Sequence, residues 1–307
     1  MSRATRAAVG ATTAGRRSGG DPLPSVAVGT IESVRGHMSV ESHESEHKAA
    51  ARIAEAAGRR LVALRAELRR AGASADVLRE TGDREAHELI VAELRAAFPD
   101  DAILSEEGSA DPRRLGAQRV WIVDPLDGTR EFSEEGRTDW AVHVAFWARG
   151  ALRAGAVALP ALGRTLSTAA PPALAAAGQG PPRLLVSRTR PPAITEHLRA
   201  ALGAELVPMG SAGAKAMAVV LGEGDVYAHG GGQYEWDSAA PVAVAAAAGA
   251  RTCRLDGSAL VYNRENPWLP DLLVCRPELA DAVLAVTRRA ADGGQSRPAT
   301  TSATLRP

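Results

Sequence analysis

Asp124 and Asp127 stand three residues apart in the stretch WIVDPLDGTREF, Trp121 to Phe132, with Pro125 between them and Gly128 and Thr129 just after. The apolar run RVWIV reads as a buried strand, and it delivers both carboxylates into one tight turn. Two like charges that close repel unless a cation lies between them or each finds its own donors. The turn is therefore either a pair of capping aspartates or half of a metal site. Other acids gather at the ends of other predicted elements. Glu106 and Glu107 follow the short run AIL, and Asp237 opens the helical segment DSAAPVAVAAAAGA. Elements that end together on one side of a sheet bring such groups to one point. Hard oxygen ligands, with no Cys or paired His among them, suit Mg²⁺ or Mn²⁺ rather than Zn²⁺.

The neighbours of these carboxylates fit that chemistry. Pro125 biases Asp124 away from the helical region and holds it extended. Gly128 permits positive φ and close backbone approach. Thr129 offers a hydroxyl and a backbone N–H where a new helical turn can start, and such a terminus holds a phosphate. Carboxylates for a cation beside N–H groups for an anion are the parts of metal-assisted phosphoryl transfer to water.

Positioning these groups falls to a recognisable set of elements. Residues 44–71 read as a long amphipathic helix with Ile53, Ala57, Leu61, Leu64 and Leu68 on one stripe, ended by Gly72. A second helix is predicted over 84–97, with Asp83 at its N-cap and Phe98-Pro99 as its break. AILSEEG is a short strand. The stretch from Asp139 to Ala169 reads as three β runs separated by glycine-containing turns, and residues 170–183, rich in Pro, Ala and Gly, as a long connection. Beyond it, strand-like runs at RLLVS, AELVPM, DVYAHG, ARTCRL and DLLVCR alternate with helices over about 191–202, 212–222, 237–249 and 276–291. The expected division is a disordered leader over 1–40, an α+β half over 41–178, an α/β half over 179–292 and a disordered tail over 293–307. Met38 opens the clean helical pattern, so the leader is also readable as an over-long start.

Composition narrows the function classes. Thirty-six Lys and Arg balance 36 Asp and Glu in 307 residues, so no bulk field draws the chain to a nucleic acid polymer or an anionic membrane. Aromatic residues make up only 4%, which speaks against a stacking surface for single strands. The two cysteines, Cys253 and Cys275, fall in no ligand pattern and read as buried thiols of a reduced, cytoplasmic chain. No run is long and apolar enough to span a bilayer.

Three strings together, SEE at 105–107, DPLDGT at 124–129 and WDSAA at 236–240, resemble the signatures of the lithium-sensitive, magnesium-dependent phosphomonoesterases. That superfamily includes the inositol monophosphatases, fructose-1,6-bisphosphatases and 3′(2′),5′-bisphosphate nucleotidases, and the resemblance covers roughly residues 45–290. It implies a layered α/β/α/β/α sandwich with the site between its halves. DGTREF is similar to the DGTKEF of the CysQ-type bisphosphate nucleotidases, whereas inositol monophosphatases typically carry threonine and asparagine after the DGT. GSAGAKAM resembles their GSSLKF segment, and VSRTRPP their SRSH strand end; the wording of these runs also resembles actinobacterial CysQ-type proteins. Two departures touch nucleotide selectivity. One extra residue lies between Ser211 and Lys215, and His229 stands where many relatives have an arginine after a YP pair.

By that resemblance Glu106, Asp124, Asp127, Asp237 and the Leu126 carbonyl hold two or three Mg²⁺ ions, with Mn²⁺ as a substitute. Asp83 and Thr129, with Glu106, orient and activate the attacking water. Gly128, Thr129, Ser187, Ser211 and Lys215 contact the substrate, Lys215 as a mobile point charge. Asp83 also has a plain capping reading, and Glu107 either holds an outer water or weaker metal or is simply solvated. His87 reads as a surface or capping histidine and His143 as a packed one; Arg130 and Glu131 contact substrate or each other. The implied activity is hydrolysis of adenosine 3′,5′-bisphosphate to AMP and phosphate, extending to 3′-phosphoadenylyl sulfate, in sulfate assimilation. The implied partner is a small phosphate monoester, with a homodimer left open. The rivals are an inositol monophosphatase or fructose-1,6-bisphosphatase, and a catalytically silent nucleotide-binding regulator.

Overall fold

Alternation along the central strands sends one set of side chains to each of two cores, and this builds the layers. In the computed structural model, which describes residues 44–108 and 111–293, β2 (Arg119–Asp127) turns Trp121 and Val123 to one face and Val120 and Ile122 to the other. The first pair packs under α1 (Glu46–Arg70) and α2 (Ala75–Ala97), with Ile53, Leu61, Ile90 and Leu94. The second packs against α5 (Ala212–Val220) and α6 (Glu235–Ala247), with Met217, Val219 and Val244. A second sheet closes the other side of α5 and α6 with Leu185, Leu272 and Val274. Its outer face, with Leu184, Val186 and Leu273, is covered by α4 (Ile194–Leu202) and α7 (Ala280–Gly293). The order is thus helix pair, sheet, helix pair, sheet, helix pair, the α/β/α/β/α sandwich that the motifs imply.

The first sheet runs β1-β2-β3-β4-β5, with β1 (Ala102–Ser105), β3 (Ala141–Ala148), β4 (Ala151–Leu159) and β5 (Arg164–Ser167). Only β1 and β2 are parallel, so both end on one side. The second runs β7-β6-β8-β10-β9, with β6 (Arg183–Ser187), β7 (Glu205–Met209), β8 (Val226–Tyr234), β9 (Arg251–Cys253) and β10 (Trp268–Cys275). Strand β6 is parallel to both neighbours, and the remaining pairs are antiparallel. The segment 170–182 joins the two sheets, which belong to one compact unit. No described helix is long and apolar enough to cross a membrane. The expected leader and the tail beyond Gly293 lie outside the described residues.

Two differences from expectation bear on the site. Helix α2 begins at Ala75, where Ser74 Oγ accepts from Val77 N at 3.3 Å, so Asp83 is a mid-helix residue and not an N-cap. The Thr81-Gly82-Asp83 run imitates a helix start. Gly82 is there for space instead: a Cβ on it would lie 2.9 Å from Leu126 Cδ2 and 2.9 Å from Phe132 Cε1. A helix tolerates that glycine when it brings the backbone close to a neighbour. Strand β2 also runs past Val123, pairing Asp124 with His143 and Asp127 with Ala141. Three steps on β2 against two on β3 make a bulge at Pro125-Leu126, where proline has no N–H to give the ladder.

Candidate metal centre

The bulge aims two carboxylates out of the sheet end, and the first turn of α6 supplies a third. Asp124, Asp127 and Asp237 each offer an oxygen, and these atoms lie within 4.8 Å of one another. Glu235 sets where α6 begins, its carboxylate accepting from Asn263 N at 2.7 Å and Arg264 N at 2.8 Å. Asp237 then accepts from Tyr234 N at 2.6 Å.

Asp127 is the best satisfied of the three. Its Oδ2 accepts from Ser211 Oγ at 2.5 Å and Gly213 N at 2.6 Å, and its Oδ1 from Ala212 N at 3.2 Å. The N-terminus of α5 therefore points at this carboxylate, and its dipole favours the charge. His143, fully buried, donates from Nδ1 to Trp236 O at 3.1 Å. That leaves Nε2 facing Asp127 Oδ2 at 3.2 Å, off the direction of a hydrogen bond but within ion-pair reach. Two acceptors would repel there, which favours the protonated imidazole. Burial opposes that charge, and Asp127 outweighs burial to raise the His143 pKa. Burial likewise pushes Asp127 up, but His143, Ser211 and Gly213 outweigh it and hold the carboxyl at about 2.

Asp124 is the opposite case. It is 1% exposed; Oδ1 accepts from Leu126 N at 3.1 Å, and Oδ2 is buried without a donor. Burial first, then the charges of Glu106, Asp127 and Asp237, raise its pKa well above the carboxylate range. Glu106 continues the β1–β2 ladder, its N–H donating to Val123 O at 3.4 Å. Although part of Glu106 reaches solvent, its carboxyl turns in beside Asp124, close enough to share a proton. Burial and then Asp237 push it to about 7. Asp237 is raised to about 6 by burial and then Asp127. Such a set, all hard oxygen donors with one buried oxygen left without a donor, fits a divalent cation.

Gly128 has φ +90° and opens α3 (Thr129–Ser133); a Cβ there would lie 3.2 Å from Ser211 Cβ and 3.3 Å from Asp139 O. Thr129, half-buried, is the first residue of α3 and Asp83, half-buried on α2, lies near Glu106 and Glu107, with no Asp83–Thr129 hydrogen bond. Burial and then Glu107 and Glu106 raise Asp83 to about 8. The Leu126 side chain is buried in the core under α1 and α2, so only its backbone is free to serve the site. Ser187 ends β6 and accepts from Arg190 N at 3.2 Å, capping its own turn.

Lys215 is not the mobile charge expected. It is 5% exposed, and Nζ donates to Gly210 O and, at 2.8 Å, to Ser211 O, above the Tyr227 ring. Its reach is taken up by the carbonyls that lead into α5. Glu131 contacts neither Arg130 nor open solvent; it is buried and accepts from Arg188 Nε at 2.7 Å, while Arg188 Nη2 donates to Glu134 at 2.6 Å. His87 shares a hydrogen bond with Ser105 Oγ at 2.9 Å. His229 is tied between Tyr227 OH at 3.2 Å and Gly232 O at 2.9 Å.

His143 is packed, as its strand position implies, but its place beside the carboxylates is not legible in the sequence. Strand alternation assigns it a face, and only the register of β2 on β3 sets it opposite Asp124. Its space depends on Gly213, where a Cβ would fall 1.9 Å from Nε2. Gly213→Ala is therefore expected to displace the imidazole and cost about 1–3 kcal/mol by overpacking, read as a lower denaturation midpoint. An unchanged midpoint would show that the ring moves freely.

Residues 37–291 match the model of the inositol monophosphatase family. A 3′-phosphoadenosine 5′-phosphate phosphatase of Mycobacterium leprae is 50% identical over 251 residues, covering 78% of this chain and 92% of that protein. The 3′(2′),5′-bisphosphate nucleotidase CysQ of Escherichia coli K12 is 32% identical over 201 residues, covering 61% of this chain and 80% of its own. Among solved structures, CysQ from Bacteroides thetaiotaomicron aligns with a TM-score of 0.63 at 26% identity, covering 75% of this chain and 96% of its own. The three carboxylates thus meet at the end of the same sandwich that these relatives share, and the chain belongs to the inositol monophosphatase family.

Proposed function

We propose that this chain is a Mg²⁺-dependent 3′(2′),5′-bisphosphate nucleotidase that hydrolyses adenosine 3′,5′-bisphosphate to AMP and phosphate. The observation that carries the reading is the convergence of Asp124, Asp127 and Asp237 around an unpaired buried carboxylate oxygen. The choice of substrate is supported by the relative at 50% identity, a phosphatase named for this nucleotide.

Glu106, Asp124, Asp127, Asp237 and the Leu126 carbonyl would hold two or three Mg²⁺ ions, with Mn²⁺ as a substitute. Bound there, the cations neutralise phosphate charge and make water a nucleophile at neutral pH. The protein residues do the rest by position. Gly128, with its left-handed backbone, and the N–H of Thr129 present donors to a phosphate oxygen at the start of α3. Thr129 Oγ1 and the Asp83 carboxyl are the pair that would orient the attacking water. Asp127, held ionised by His143, Ser211 and Gly213, keeps its charge at any working pH. Ser211 and Lys215 act on the substrate through the turn they brace, and Ser187 lies at the strand end beside it.

A phosphate-release panel tests this reading. With Mg²⁺, adenosine 3′,5′-bisphosphate is expected to turn over faster than inositol 1-phosphate or fructose 1,6-bisphosphate, and Li⁺ to inhibit. A clear preference for inositol phosphate would reassign the substrate. Nucleotide binding without Mg²⁺-dependent phosphate release would point instead to a silent regulator.

A further inference from the structure

Aromatic side chains are scarce in this chain, and all but two of them are buried or half-buried. The exceptions are Tyr234, 46% exposed, and Trp268, 44% exposed. Single exposed aromatics are ordinary and need no explanation. These two are not scattered: they are direct register partners across the antiparallel pair of β8 and β10. Residues opposite each other on such a pair present their side chains on one face.

Both rings have fixed backing. Tyr234 stacks on Trp236 with ring centroids 4.7 Å apart and planes 10° from parallel, so one face of the phenol is occupied and the other is free for a ligand. Trp236 packs onto the central core, which makes it a firm support. The Trp268 indole lies along the β8 backbone at Gly232, where a Cβ would sit 2.5 Å from its Nε1. The Gly232 carbonyl is in turn bonded by His229 Nε2 at 2.9 Å. The pair also stands at the metal centre, because Tyr234 N holds Asp237 at 2.6 Å.

An exposed, backed aromatic face beside a phosphate-handling site fits a planar heterocycle. We propose that Tyr234 and Trp268 form a stacking subsite for the nucleobase of a nucleoside phosphate substrate, the feature that separates such a substrate from inositol and sugar phosphates. This rests on the nucleotide reading above. Every base has a π-face, so the subsite favours a base over none more than one base over another. The phenol hydroxyl is not needed for stacking.

The test compares adenosine 3′,5′-bisphosphate with the same ribose bisphosphate lacking its base, with Mg²⁺ saturating. In Tyr234→Ala the ratio of kcat/KM between the two is expected to fall about tenfold, mostly through a higher KM for the nucleotide. Tyr234→Phe should keep the wild-type ratio, and Trp268→Ala should lower it. Binding of AMP to wild type should quench tryptophan fluorescence, and the quench should weaken in Tyr234→Ala. An equal loss with both substrates in Tyr234→Ala would make the ring a support for the start of α6 and overturn the subsite. So would an unchanged ratio in both alanine variants while wild type still prefers the nucleotide. A wild type indifferent to the base would overturn the nucleotide reading itself, and the subsite with it.

Discussion

Asp124→Asn is expected to lower Mg²⁺-dependent phosphate release by about a thousandfold while leaving the chain folded. The carboxylate feels the charges of Glu106 and Asp127 and carries the cluster's one fully buried oxygen without a donor. An amide has the same shape but cannot neutralise a cation, and a misheld cation forfeits several kcal/mol of transition-state stabilisation at about 1.4 kcal/mol per tenfold in rate. Stability should not follow activity. In the metal-free protein, burial and three neighbouring carboxylates already favour the neutral form of this group. Asparagine imitates that neutral state, so the metal-free variant should melt at or above the wild-type temperature. Mg²⁺ should raise its melting temperature far less than it raises that of wild type. A variant of normal activity, still stabilised by Mg²⁺ as wild type is, would remove Asp124 from the ligand set.

The metal-free protein is expected to lose stability as pH rises from about 4 to about 8, and saturating Mg²⁺ to cancel that loss. Glu106 at about 7, Asp237 at about 6, Asp83 at about 8 and Asp124, also raised, all hold protons more tightly folded than unfolded. Ordinary carboxyls release theirs near pH 4. Across that window the folded chain therefore binds more protons than the unfolded one, and stability falls as pH rises. Asp127, at about 2, has the opposite sign: its contribution is full above about pH 4 and is lost only in stronger acid, so it leaves the window alone. A cation competes with the same protons and binds only the folded state, so its stabilisation grows with pH. Melting in chelator should drop by roughly 5 °C or more between about pH 5 and pH 8, and the Mg²⁺-induced rise should be larger at the upper end. A flat or rising profile in chelator would mean that these carboxylates do not crowd one another.

Much of this molecule is legible in its order of residues. Helical and strand periods are local, so α1, the three β runs of the first sheet and the alternating second half appear where the apolar spacing puts them. The DPLDGT turn is local as well: a proline, a glycine and two aspartates within six residues already mark a tight turn whose like charges need donors or a cation. What lies across the chain is not legible in this way. Asp83 reads as an N-cap because the real partners of the glycine before it, Leu126 and Phe132, are far along the sequence. His143 is one polar residue in an apolar strand until the β2–β3 register sets it opposite Asp124 and its Nε2 comes within 3.2 Å of Asp127. Lys215 looks like a free cation until α5 folds back and its ammonium finds the Gly210 and Ser211 carbonyls. Tyr234 and Trp268 are 34 positions apart in number but partners in space. The sequence by itself therefore determined the elements and the charge that calls for a cation, because periodicity and turn chemistry act over a few residues. Only the tertiary structure decided which donors hold each carboxylate and which rings stand exposed beside them, because burial and register are set by pairings between distant segments.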